Sequence, residues 1–209
     1  MATICPTVLA ANPHLYREQI ERLQPFAERV QIDLMDGEFA PTASIKPIQV
    51  WWPEGWIVDI HLMFQRPLEH LETLISLHPH MIILHAEADG DLLAMLRHIQ
   101  KLGFKAGVAL LKETPVSVAR ELIEIADHVL LFSGELGKFG GTADMAVLAK
   151  VEEVRAIHPG IEIGWDGGVS LDNVRQLRDG GIEVLNVGGA IAKADNPAEV
   201  YATLVKEIN

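Results

Sequence analysis

The 209-residue chain is 49% apolar and carries a formal net charge of −12, which argues against disorder and against nucleic acid as a partner. Its single cysteine, Cys5, excludes an intrachain disulfide, and no window approaches the roughly 20 apolar residues of a membrane span. Because no basic segment followed by an apolar run opens the chain, we expect a cytoplasmic protein with no membrane partner.

Short β-branched runs alternate with longer amphipathic stretches along the whole chain. The runs predict strands at 3–9, 30–35, 57–62, 81–85, 106–111, 128–132, 161–165 and 184–187. The stretches predict helices from Asn12-Pro13, over 67–77, 91–102, 115–126, 143–157 and 171–178, and from Pro197, with a short helical piece carrying Trp51 and Trp52. About eight strand-then-helix units without a linker predict a single domain, residues 1–209, folded as a (β/α)₈ barrel.

In such a barrel, functional groups lie at the carboxyl ends of the strands, because the βα loops build that face. Polar residues occur at these predicted ends: Thr7, Gln31, Asp33, His61, His85, Ser133 and Asp166. A lone histidine or aspartate at a strand end is more often structural. Two carboxylates and an imidazole on one rim instead favour a divalent metal or paired proton transfer.

The stretch from Gln31 to Gly37 concentrates this signal. Strand alternation puts Gln31 and Asp33 on one side and the aliphatic residues on the other. An inward carboxylate is costly unless a metal, a partner or a chemical task compensates for it. An Asp-Gly pair such as Asp36-Gly37 is also a common turn, so this stretch alone leaves both interpretations open.

Three glycine clusters follow late strands: Gly137 with Gly140-Gly141, Gly167-Gly168 and Gly188-Gly189. Backbone N–H groups in such loops can surround an anion, and barrels of this kind commonly bind phosphate after the seventh and eighth strands. For each cluster alone, a tight turn is the favoured interpretation. The last two together favour a phosphate site, in which backbone dipoles must compensate for the acidic character of the chain.

Methionine and tryptophan residues give weaker signals. Met35 and Met63, each beside a candidate site residue, are either ordinary core or a soft apolar floor under a reacting molecule. Trp51, Trp52 and Trp56 favour packing on the second helical segment or a subunit contact over binding of a base.

Five segments carry a further signal. They are Cys5-Pro6-Thr7-Val8-Leu9-Ala10-Ala11, Asp33-Leu34-Met35-Asp36-Gly37-Glu38-Phe39-Ala40-Pro41, Asp59-Ile60-His61-Leu62-Met63, Ala106-Gly107-Val108-Ala109 before Thr114-Pro115, and Asp166-Gly167-Gly168-Val169. In order and spacing they resemble the ribulose-phosphate 3-epimerase family over nearly the whole chain. The resemblance implies a metal-dependent TIM barrel of the ribulose-phosphate-binding type that exchanges a proton at C3 of a pentulose 5-phosphate through an enediolate, interconverting ribulose 5-phosphate and xylulose 5-phosphate.

The resemblance also implies roles for individual residues. Asp33 and Asp166 correspond to the two catalytic acid/base groups, and Asp33, His61 and Asp166 to ligands of a divalent metal ion: zinc, manganese, iron or cobalt. The expected substrate-binding residues are Thr7, His61, Met35, Met63, Gly140, Gly141, Gly167, Gly168, Gly188 and Gly189. A homo-oligomer is expected.

The chain departs from the family pattern at several positions. Gln31 stands where a metal-binding histidine is usual, and its amide is a weak ligand for a transition metal. Thr7 replaces a serine, Phe132 a methionine and Gly189 a phosphate-binding serine, and the loop at 134–142 has an altered length and an added Lys138. The alternatives are an epimerase or isomerase for another phosphosugar such as a hexulose 6-phosphate, a lyase of the same superfamily, or a phosphometabolite-binding barrel without turnover. The lyases considered carry a lysine between acidic residues at a strand end, and Asp33-Leu34-Met35-Asp36 has none.

Overall fold

Eight parallel strands close into a barrel in the computed structural model, which describes residues 2–137 and 140–209. Each strand pairs with its neighbours in the sequence, and β8 returns to pair with β1. The (β/α)₈ TIM barrel is confirmed, and each predicted strand lies within one residue of the observed bounds. The strands are β1 (Thr3–Val8), β2 (Arg29–Met35), β3 (Ile57–Met63), β4 (Met81–His85), β5 (Lys105–Leu111), β6 (His128–Phe132), β7 (Glu162–Asp166) and β8 (Val184–Val187).

Helices cover the outside of the barrel. The first begins at a cap, because the Asn12 side chain accepts hydrogen bonds from two N–H groups of the first turn and Pro13 fits the first helical position. No helix among residues 2–137 and 140–209 is long and apolar enough to cross a membrane. The α-helices are α1 (Pro13–Leu23), α2 (Leu71–Ile75), α3 (Leu92–Lys101), α4 (Arg120–Ile125), α5 (Lys150–Ile157), α6 (Val174–Asp179), α7 (Gly189–Ala192) and α8 (Pro197–Ile208), and 3-10 helices span Pro47–Gln49, Pro67–His70, Val116–Ala119 and Met145–Ala149.

The prediction that Trp51 and Trp52 lie in a short helical piece is wrong. A 3-10 helix ends at Gln49, and both tryptophans follow it in irregular backbone. Pro53 disfavours helical backbone at the residue before it, which is Trp52. The Trp51 ring packs edge-on against Tyr16 of α1, whose hydroxyl donates to the Trp51 carbonyl oxygen at 2.6 Å. Trp51 therefore packs on α1 rather than on the second helical segment.

Helix bounds were predicted less well than strand bounds. The segment predicted as one helix over 143–157 is a 3-10 helix followed by α5. The helix predicted from Leu171 begins at Val174. Helix ends depend on local capping and on packing against the barrel, which periodicity alone does not encode.

Strand alternation sorts the side chains into two layers. On β2, Val30, Ile32 and Leu34 join the apolar layer between strands and helices, whereas Gln31 and Asp33 face the barrel interior. A smaller apolar cluster of Met81, Ile83, Ala109 and Leu130 fills part of that interior. Polar side chains therefore lie inside the barrel only at strand positions whose side chains point inward.

A buried charge network crosses the amino-terminal end of the barrel. Arg29 donates through Nε to Asp59 at 2.7 Å and through both terminal nitrogens to Glu162 at 3.1 and 2.9 Å. His80 lies 2.7 Å from the second Asp59 oxygen, and His128 lies 2.9 Å from Glu162. Burial opposes ionisation of Glu162, but hydrogen bonds from His128 and Arg29 hold its pKa well below the ordinary value. The network joins β2, β3, β6 and β7 at the face opposite the candidate site.

Candidate active site

A cavity of about 510 Å³ opens at the carboxyl ends of the strands. His61 and Gln31, predicted at the same site, do not line it and are buried. His85 and Ser133, the remaining polar residues at predicted strand ends, also do not line it. The other residues predicted to be catalytic or to bind substrate do line the cavity: Thr7, Asp33, Met35, Met63, Gly140, Gly141, Asp166, Gly167, Gly168, Gly188 and Gly189. Within the predicted glycine loop, Lys138 and Phe139 lie outside the described residues.

Three predicted side chains from separate strands meet at the cavity floor. His61 Nδ1 of β3 lies 3.1 Å from Asp33 Oδ1 of β2 and 3.5 Å from Asp166 Oδ2 of β7. One ligand atom from each residue lies within 4.8 Å of the other two. Parallel strands bring their carboxyl ends to one rim, so residues far apart in the sequence become neighbours there.

The Gln31 side chain joins the two carboxylates. Its Nε2 donates to Asp33 Oδ1 at 2.8 Å and to Asp166 Oδ2 at 2.6 Å. Which end of the amide is nitrogen follows from this hydrogen-bond pattern, since two acceptors require a donor between them. Gln31 and His61 contact the same oxygen of each carboxylate, Asp33 Oδ1 and Asp166 Oδ2. The second oxygen of each carboxylate makes no such contact within residues 2–137 and 140–209, so it is left for a molecule in the cavity.

Burial and mutual charge shift the proton affinities of this group. Burial, followed by the Asp166 charge, raises the pKa of Asp33 to about 6. Burial lowers the pKa of His61, but hydrogen bonds to Asp166 and Asp33 outweigh it and raise that pKa to about 9. Asp33 is therefore an anion at neutral pH that is readily protonated, which suits a group that both takes and returns a proton.

A second buried histidine, His85, orients the His61 ring. His61 Nε2 lies 2.9 Å from His85 Nε2, and His85 Nδ1 lies 3.2 Å from Glu87. Burial lowers the pKa of His85 to about 4, so at neutral pH it can donate Nδ1–H to Glu87 and accept from His61 at Nε2. This arrangement keeps His61 Nδ1 directed at the two carboxylates.

The Asp33–His61–Asp166 group fits a divalent metal ion. Two carboxylate oxygens and one imidazole nitrogen within 4.8 Å of one another form a donor set that such ions use, and burial favours compensation by a cation. Gln31 can add a fourth donor by turning its amide oxygen inward. This set is richer in oxygen than one with histidine at position 31.

Glycines bring three backbone segments together in the cavity lining, at what is called here its glycine-rich end. Gly167 and Gly168 have φ of +109° and +72°, and a Cβ on either would lie within 2.2 Å of a backbone nitrogen of a neighbouring loop. A Cβ on Gly140 would lie 3.9 Å from Gly189 Cα and 3.2 Å from Lys193 Nζ. The backbone conformation and the close approach of neighbouring loops therefore require glycine at Gly167 and Gly168.

Lys193 and Asn186 are among the lining residues that were not singled out in the sequence. Lys193 follows α7 and is the positively charged residue among the described residues that line the cavity. Asn186 lies within β8, where a single polar residue in a short apolar run gave no sign of its direction. Both residues reach the cavity only because the barrel closes, which their local sequence does not indicate.

The model of the ribulose-phosphate 3 epimerase family matches residues 3–192. Ribulose-phosphate 3-epimerase of Schizosaccharomyces pombe is 30% identical, covering 97% of this chain and 92% of the relative. That of Bacillus subtilis is 29% identical, covering 91% and 92%.

Solved structures are similar in fold. They include 3-hexulose-6-phosphate synthase, with a TM-score of 0.76 and 18% identity over 99% of each chain. KGPDC from Streptococcus mutans has a TM-score of 0.78 and 12% identity over 100% of this chain and 97% of the other. The family match and the two relatives, together with the strand-end group, show that the chain belongs to the ribulose-phosphate 3-epimerase family, whose members are carbohydrate epimerases.

Proposed function

We propose that this protein interconverts ribulose 5-phosphate and xylulose 5-phosphate by two-base proton transfer at C3, within one domain spanning residues 1–209. The observation that carries the proposal is the pair of buried carboxylates, Asp33 and Asp166, which line the cavity and each keep one oxygen outside the contacts with Gln31 and His61. Epimerisation needs one acid/base group on each face of the reacting carbon, and strands β2 and β7 supply one each.

In the proposed reaction, the two carboxylates act one after the other. One carboxylate takes the C3 proton, and the C–H electron pair forms the C2–C3 double bond while the negative charge moves to the C2 oxygen. The other carboxylate, protonated, delivers its proton to the opposite face of C3. Without a bound cation, burial and the Asp166 charge raise the pKa of Asp33 to about 6, so this carboxylate can both take and return a proton near neutral pH.

Apolar side chains beside the carboxylates protect the enediolate intermediate from unwanted protonation. Met35, Met63 and Phe132 belong to one buried cluster beside the carboxylates. Their side chains carry no acidic proton, so they cannot protonate the enediolate at the wrong position or face. A divalent cation held by Asp33, His61 and Asp166 would stabilise the negative charge on the enediolate oxygens.

Gln31 should determine which metal ion binds. An amide oxygen is a harder and weaker donor than an imidazole, so the wild-type protein should retain zinc weakly and accept manganese or magnesium. Gln31→His should raise zinc affinity by at least about 10-fold, measured by chelator competition, because an imidazole would join three ligands already in place. Epimerase activity should rise with metal content.

The control for Gln31→His is Gln65→His, which adds a histidine outside this group. It should leave zinc affinity unchanged. If the two variants bind zinc equally, the three side chains do not form the metal site, and the alternatives to a metal-assisted epimerase gain support.

Lys193 supports a phosphate site at the glycine-rich end of the cavity. Its ammonium lies over Gly140, where an added Cβ would be 3.2 Å from Nζ, and it has no ion-pair partner among the described residues. In a chain of net charge −12, a local cation and backbone N–H groups are the available means of holding a dianion. Glycine replacements are a poor test, since a Cβ on Gly168 would collide with the Ala143 backbone.

Lys193→Gln should weaken binding of the phosphorylated ketose by about 10-fold, because a hydrogen bond to a charged group is lost. Affinity for the unphosphorylated ketose, measured by the same calorimetry, should not change. Lys112→Gln removes the same charge from a lysine outside the cavity lining and should have no effect on either ligand. Equal losses for both ligands in Lys193→Gln would exclude a phosphate contact.

The activity itself is tested by following xylulose 5-phosphate formation from ribulose 5-phosphate, with a hexulose 6-phosphate compared in parallel. The proposal expects the pentulose phosphate to be the better substrate by kcat/KM. Preference for the hexulose phosphate would reassign the substrate, and binding without turnover of either would identify a phosphometabolite-binding barrel.

A homo-oligomer is part of the proposal. Ile48 and Leu68 are 78% and 64% exposed, and contact between copies would remove such apolar surface from water. Light scattering coupled to size exclusion measures the oligomeric state directly.

A further inference from the structure

The side chain of Asn186 has a position that the proposed reaction does not yet use. Its neighbours on β8, Leu185 and Val187, pack into the layer between strands and helices, so strand alternation directs Asn186 into the barrel. Asn186 is in register with Asp166 on β7 and with Cys5 on β1. It is only 2% exposed and contributes to the cavity lining.

Both polar atoms of the Asn186 amide are unpaired. Neither Nδ2 nor Oδ1 has a hydrogen-bond partner among residues 2–137 and 140–209, and both are fully buried. Burial of an unpaired amide is unfavourable, and an apolar side chain of similar size would avoid that cost. Asn173, which lines the same cavity, shows the opposite arrangement, because its amide accepts from Ser170 N and donates to the Gly168 carbonyl oxygen. Asn173 therefore holds a loop, whereas Asn186 is left for a ligand.

The place of Asn186 indicates which part of a ligand it meets. Asp166 lies beside it, and Gly188 at the glycine-rich end of the cavity follows two residues later on the same chain segment. A phosphorylated ketose that extends from the carboxylates to the glycines passes this amide. The carbon between the reacting carbon and the phosphate-bearing carbon carries a neutral hydroxyl group, which both donates and accepts hydrogen bonds as an amide does.

We propose that Asn186 binds this hydroxyl, on C4 of a pentulose 5-phosphate, and that it makes the site selective for substrates that carry it. This inference rests on the proposed function for the direction in which the substrate lies. An asparagine suits the position because it does not titrate and so does not compete with Asp166 for the proton in transfer. Asn186 is therefore a specificity-determining residue rather than a proton-transfer group.

The experiment compares pentulose 5-phosphate, its 4-deoxy analogue and inorganic phosphate as ligands in calorimetry. The wild-type protein should bind pentulose 5-phosphate about 10- to 100-fold more tightly than the 4-deoxy analogue, because only the compound with the C4 hydroxyl can form a hydrogen bond with the Asn186 amide. Asn186→Leu and Asn186→Ala should bring this preference to near unity and leave inorganic phosphate binding unchanged. Because the Asn186 amide has no hydrogen-bond partner among the described residues, Asn186→Leu should not lower the thermal midpoint, whereas Asn173→Leu should.

Either of two results overturns the inference: the preference survives in both Asn186 variants, or Asn186→Leu lowers the thermal midpoint as much as Asn173→Leu does. A wild-type protein that binds both sugar phosphates equally, or neither, also overturns it. Failure of the proposed function is seen separately. Loss of the preference in the variants, combined with no solvent exchange at C3 in the wild type, would reject the epimerase and keep the hydroxyl contact.

Discussion

Asp166→Asn should lower the rate of epimerisation by about 10³-fold while affinity for inorganic phosphate survives. The asparagine keeps the size of the side chain, and its amide oxygen can still accept from Gln31 Nε2, which lies 2.6 Å from Asp166 Oδ2. The base is lost but the surrounding geometry is kept. Asp33 remains, so solvent exchange at C3 should persist for at most the one epimer whose proton Asp33 removes.

A charge control separates this effect from a change in the local field. Asp172 lines the same cavity but is exposed, and Asp172→Asn removes the same charge without removing a proposed base. It should reduce kcat little. If Asp166→Asn epimerises at the wild-type rate, or if the two variants lose activity equally, Asp166 is not one of the two bases.

The largest expected effect on stability comes from Arg29→Met. Arg29 is only 12% exposed, and the carboxylate of Asp59, 2% exposed, depends on it and on His80. Removing one partner leaves a buried charge poorly compensated, which costs roughly 3–5 kcal/mol of unfolding free energy. Urea denaturation at neutral pH measures the loss. The matched control is Arg66→Met, because Arg66 pairs with two glutamates on the open surface and its loss should hardly move the midpoint.

The pH dependence gives a second measure of the same network. Because the folded protein holds the pKa of Glu162 below its unfolded value of about 4.3, the ionised group stabilises the fold above that pH. The stabilisation is lost as the pH falls below about 4.3. Arg29→Met removes one of the two causes, so its unfolding free energy should change less over this acidic range. Equal acid sensitivity, together with a loss below about 1 kcal/mol at neutral pH, would show that Arg29 does not support the barrel base.

Strands were predictable because their signal is local. Alternation on β2 gave the direction of Gln31 and Asp33, and barrel closure then required Asp33, His61 and Asp166 to share a rim. The sequence could not show that the Gln31 amide lies between the two carboxylates. Its two partners are 2 and 135 residues away, and only the closed barrel brings all three together.

Most of the missed features depend on contacts between residues far apart in the sequence. Arg29 and Glu162 are 133 residues apart in the sequence, and Lys193 reaches a glycine of the loop after β6. Asn186 appeared as one polar residue in a four-residue strand. Its importance lies in having no hydrogen-bond partner in the part of the chain that the structure describes, which requires knowledge of its neighbours in the fold. Trp52 was an avoidable error, since the proline after it disfavours helix.

Incubation of the metal-loaded protein with ribulose 5-phosphate in heavy water tests the two-base mechanism most directly. We expect xylulose 5-phosphate that carries one deuterium, located at C3, because the second carboxylate delivers a proton exchanged with solvent. Deuterium should enter the remaining substrate at C3 more slowly, and no other carbon should exchange. Formation of xylulose 5-phosphate without deuterium at C3, or with deuterium at another carbon, would contradict proton transfer by Asp33 and Asp166.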